Sequence, residues 1–79
     1  MIDSRTRVLQ LMLETPEGRE RLRDSIVRKM VEKQSTACDA VGVAAEAAGK
    51  LGDEYGIMMY DVMIKAAKVA GVPVVDCGR

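Results

Sequence analysis

The chain has no histidine, no phenylalanine and no tryptophan, and only two tyrosines, two prolines and two cysteines in 79 residues. Each shortage excludes something. Without histidine, the side chain best suited to proton transfer near neutral pH is missing, and so is a usual partner of cysteine in zinc sites. Cys38 and Cys77 lie far apart with no C-x-x-C spacing, so a structural metal is not expected, and reduced thiols in a cytoplasmic protein are. No uninterrupted apolar run approaches the roughly 18 residues of a membrane span, and no charged-then-apolar leader is present, so neither a membrane nor secretion is implied. Net charge is also absent: twelve Lys and Arg balance twelve Asp and Glu. Residues 1–34 carry eight basic against six acidic side chains, and residues 35–79 four against six. That dipole is too small to demand a polyanionic partner.

What is present is small and aliphatic. Ala, Val, Leu, Ile and six Met must make the core, and alanines bury little area at about 25 cal/mol per Å². A single domain spanning 1–79 with such a core is expected to need an oligomer partner.

Along the chain, Asp3 or Ser4 caps a first helix of roughly 4–14, on which Val8, Leu9, Met12 and Leu13 recur at helical spacing. The alternation within residues 6–13 also fits a strand, but the residue types favour helix. Thr15-Pro16-Glu17 reads as a cap, a first-position proline and a first-turn acid, so a second helix begins at Pro16. From Leu22 the apolar phase runs unbroken through Val41 and Ala48 to Leu51, which predicts one long spine helix over about 16–51. Asp53 then caps a third helix of about 54–70, closed by Gly71-Val72-Pro73. The expectation is therefore an all-α, three-helix arrangement with a short C-terminal tail, assembled as a dimeric helical bundle.

One line on the spine, Cys38, Gly42, Ala45, Gly49 and Gly52, carries nothing larger than a thiol. It predicts close helix packing or self-association at Cys38, Gly42, Ala45 and Gly49, met by Met59 and Met63 of the third helix. The run from Ile57 to Ile64 is rich in methionine, a residue that fills gaps in cores and adapts to varied partners. Tyr55 and Tyr60 are the only aromatics able to anchor an interface.

Catalysis has little to rest on, since Ser4, Ser25, Ser35 and Cys77 have no base at motif spacing. Gly49-Lys50-Leu51-Gly52 lacks the spacing of a phosphate loop. The carboxylates Glu17, Glu20 and Asp24 are interleaved with Arg21, Arg23 and Arg28, as on a solvated salt-bridged face. Were residues 6–13 a strand, the first 50 residues would be similar in outline to ribbon-helix-helix repressors, which dimerise through that strand. The sequence thus predicts a non-enzymatic helical homodimer with no cofactor and no metal, acting in the cytoplasm by binding another protein as a regulator, adaptor or inhibitor. The alternatives are a small dimeric DNA-binding regulator, and an oligomer binding a small ligand at helix junctions. Partner or ligand contacts are expected from Arg21, Arg28, Tyr55, Met58 and Tyr60.

Overall fold

A computed structural model describes residues 3–75, and every regular element among them is helical. The elements are α1 (Ser4–Leu13), α2 (Pro16–Glu32), α3 (Ala40–Leu51) and α4 (Asp53–Ala70). The all-α class agrees with the spacing of apolar residues; the three-helix count does not. Residues 6–13 lie inside α1, so the strand that a ribbon-helix-helix outline requires is not formed. Asp3 caps this helix by accepting the Thr6 N–H at 2.8 Å, and that bond holds its carboxyl below the usual carboxylate range.

The α1–α2 corner is built as Thr15-Pro16 predicts. Thr15 Oγ1 accepts the Gly18 N–H at 3.0 Å, and Pro16 occupies the first turn. From α2, Arg19 reaches back and donates to the Leu13 carbonyl at 2.7 Å, satisfying an otherwise unpaired acceptor at the end of α1.

The spine expected over 16–51 is broken between Lys33 and Asp39. Gln34 adopts a left-handed φ of 50°. Its N–H donates to the Val31 carbonyl at 3.2 Å, and the Ser35 N–H reaches the Met30 carbonyl at 2.9 Å. These are the paired bonds of a Schellman ending, made on glutamine where glycine is usual. Asp39 then restarts the chain as a helix, its Oδ1 accepting the Gly42 N–H at 2.9 Å. The next break falls where the glycines place it, at Gly52 with φ 113°. Asp53, expected as the cap, is instead the first helical residue, and no side chain caps α4. At the far end Gly71 is left-handed at φ 73°, and the Val72 N–H bonds to the Ala67 carbonyl at 2.9 Å.

The chain is organised around α4. Its Gly56, Met59, Val62, Met63, Ala66 and Ala67 are buried, and it packs most heavily on α3, then on α2, and touches α1. The remaining core is Leu13, Met30, Cys38, Ala40 and Ala47. Leu13 is its largest fully enclosed side chain. After α4 the backbone returns along the α2–α3 connection: the Cys38 N–H donates to the Pro73 carbonyl at 2.8 Å, and the Val75 N–H donates to the Cys38 carbonyl at 2.9 Å. Residues 72–75 are thus an extended strap forming one parallel bridge, Cys38 with Val74. Cys77 lies outside the described residues. The molecule measures 33 × 30 × 19 Å, a short axis that leaves room for two helix layers at the usual interaxial distance of about 8–10 Å. None of the described helices is long and apolar enough to cross a membrane.

Candidate functional site

Three concave regions can be built from these elements, and they differ in chemistry. The first is an open apolar groove of about 560 Å³ between α3 and α4. Its floor is Val41, Ala44, Ala45 and Ala48 of α3, and its raised edge is Ile57 and Tyr60 of α4. Among the described residues Asp53, at the start of α4, is the only carboxylate that lines it, and no basic side chain does. The floor is low because α4 approaches α3 closely at Gly56, where a Cβ would lie 2.6 Å from that of Ala48 and 3.0 Å from the Ala44 carbonyl oxygen. The edge is high because Ile57 is 72% exposed and Tyr60 42% exposed. Large apolar side chains so presented, beside a small-residue floor, form a contact surface without a chemical centre.

The second region, about 470 Å³, lies between α1 and α2 and includes Val8, Leu11, Met12, Thr15, Gly18 and Arg21. Val8 and Leu11 are each more than half exposed. The third, about 270 Å³, lies between α2 and α4 and is charged, with Arg19, Glu20, Arg23, Asp61 and Lys65 at its walls. Its charges are already committed: Arg23 meets Asp24 at 2.8 Å and Glu20 at 4.0 Å, Lys65 meets Asp61 at 3.0 Å, and Arg19 holds Leu13. Mutual neutralisation leaves this cleft little pull on an anion. Among the described residues no three His, Cys, Asp or Glu side chains come together as a metal site would require.

The residues singled out for packing or self-association separate into two groups. Cys38, Met59 and Met63 are buried within the chain. Gly42 is half-buried beside the capping Asp39 carboxylate, while Ala45 and Gly49 are exposed, and a Cβ at Gly49 would have nothing within 4 Å. Of the line, only Ala45 reaches the α3/α4 groove. Cys38 has its sulfur 3.9 Å from the Met63 carbonyl oxygen. Burial, with the Asp39 charge, pushes its thiol pKa up, so the nucleophilic thiolate is disfavoured.

The expected partner-contact residues do not share one surface. Tyr60 borders the α3/α4 groove and Arg21 borders the α1/α2 groove. Arg28 is exposed on α2. Met58 packs against the core. Tyr55 donates its hydroxyl to Glu14 at 3.0 Å, tying the start of α4 to the end of α1. Sequence reasoning passes over Ile57, Val8 and Leu11 as contact residues. The signal for Ile57 is its position beside the Asp61 and Lys65 strip of α4, which places it at the rim of the helix's buried face. No protein family, curated protein or solved structure matches the chain.

Proposed function

We propose that this chain is a small, non-enzymatic, self-associating helical protein that acts by binding another protein. The observation that carries the reading is the α3/α4 groove: an apolar floor and two protruding side chains, with charge confined to its end. Depletion of charge at the centre, with a large aromatic and an aliphatic knob, is the composition of an interface core. Support also comes from the titratable groups. The chain lacks histidine, its buried thiol is held protonated, and the ion pairs within α2, α3 and α4 lie at the surface.

The test has two arms. Sedimentation equilibrium at micromolar concentrations is expected to give a mass above 8.6 kDa, and a stable monomer sinks self-association. Tagged protein is then compared in capture from its host lysate and in a mobility shift on random duplex DNA. Retention of a specific protein at moderate salt is expected. A salt-sensitive DNA shift without any captured protein overturns the reading in favour of a DNA-binding regulator.

A further inference from the structure

We propose that a second copy of this chain occupies the α3/α4 groove, forming a two-fold dimer in which Ile57 and Tyr60 of each copy lie on the Ala44, Ala45 and Ala48 floor of the other. The proposal rests on the self-association proposed above and deepens it by naming the surface. Two observations lead to it.

The first is shape. Ridge and floor stand side by side on one face, the ridge on α4 and the floor on α3. A two-fold axis lying in the plane of such a face, between ridge and floor and running along them, lays each ridge over the opposite floor, because an isologous contact pairs every element with its complement on the other copy. Ile57 and Tyr60, three residues apart, rise from the same side of α4 and fit this use as a pair.

The second is charge. Glu46 and Lys50 pair at 3.6 Å on α3, and Asp61 and Lys65 pair at 3.0 Å on α4. Asp53, at the end of the groove, has no such partner, but the centre of the lining carries no charge among the described residues, so two copies of the face meet there without like charges to oppose association.

Sedimentation equilibrium of the full chain, with Ile57→Glu, Ile57→Ala and Leu11→Glu, tests the placement. Leu11 is a half-exposed apolar residue on the α1/α2 surface and serves as the control. Each substitution enters a two-fold dimer twice. Ile57→Glu, which would bury two unpaired carboxylates, is expected to raise the dimer Kd by roughly 100-fold or more. Ile57→Ala, which keeps a good helix former at an exposed site, is expected to raise it by roughly tenfold. It also covers the case in which the charged variant fails to fold, with far-UV circular dichroism as the check. Leu11→Glu should leave the Kd unchanged. Weakening by Leu11→Glu with none by Ile57→Ala overturns the proposal while leaving self-association standing. A wild-type chain monomeric throughout overturns both.

Discussion

Gly56 sets how near α3 comes to α4. A methyl group there would sit 2.6 Å from the Ala48 Cβ and 3.3 Å from its Cα, so the helices must part or tilt to admit one. Gly49, one helix earlier, faces open space. Both glycines lie within helices, where alanine is intrinsically better by about 1 kcal/mol. The same substitution is therefore expected to act in opposite directions. Gly49→Ala should stabilise by up to about 1 kcal/mol, while Gly56→Ala should lose that gain to an overpacking cost of about 1–3 kcal/mol. Thermal melts at fixed protein concentration check the pair, with about 4–8 °C per kcal/mol expected for a domain of this size. Equal and upward shifts for both would mean that α4 does not press on α3 at this point. In the sequence the two glycines look alike, because what separates them is the identity of the neighbouring helix face.

At the scale of elements, the helix ends explain both what the sequence reveals and what it conceals. Thr15-Pro16 and Gly71-Val72 announce their boundaries because each residue type has one favourable use there, and both form as expected. The break from Lys33 to Asp39 is hidden for a physical reason. Seven residues separate Glu32 from Ala40, which is close to two helical turns at 3.6 residues each, so the apolar pattern resumes in phase although the backbone has left the helix. The terminator is also disguised, since Gln34 holds the left-handed position where glycine would have been conspicuous. The remaining clues are the polar cluster Gln34-Ser35-Thr36 and Asp39, a good cap three residues before Gly42. This arrangement carries its own prediction. A non-glycine residue in the left-handed region costs about 1–2 kcal/mol, partly offset in a glycine variant by the entropy that glycine loses on folding, about 0.5–1 kcal/mol. Gln34→Gly should therefore stabilise by roughly 0.5–1 kcal/mol, read as a higher midpoint in urea with an unchanged slope. A lower midpoint would show that the chain continues as helix through Gln34, as the unbroken apolar phase suggests. Splitting the expected spine also moves the centre of the fold to α4. The small-residue stretch then packs its Ala40 and Ala47 inward and leaves Ala45 and Gly49 outside.

For the molecule as a whole, the shortage of aromatics seen first in the sequence becomes a statement about stability. The core includes Ala40, Ala47, Ala66 and Ala67, and at 19 Å the short axis leaves room for two helix layers. Each alanine contributes little apolar area, so a chain this short gains a modest free energy from its own interior and has more to gain from covering Ile57 and Tyr60. If folding and association are linked in this way, thermal stability must depend on concentration, because mass action favours the assembled state. Unfolding enthalpy runs at about 0.7 kcal/mol per residue, so a two-chain unit of this size absorbs about 110 kcal/mol at its midpoint. For a dimer melting directly to unfolded chains, the van 't Hoff relation then gives a Tm rise of about 4–5 °C for each tenfold increase in protein concentration. Scanning calorimetry across two decades of concentration should show that slope in the wild type, and Ile57→Ala, with its dimer weakened about tenfold, should keep the slope and melt about 4–5 °C lower at any one concentration. A Tm independent of concentration would make the chain's own alanine-rich core sufficient, and would leave the α3/α4 face free for a different protein.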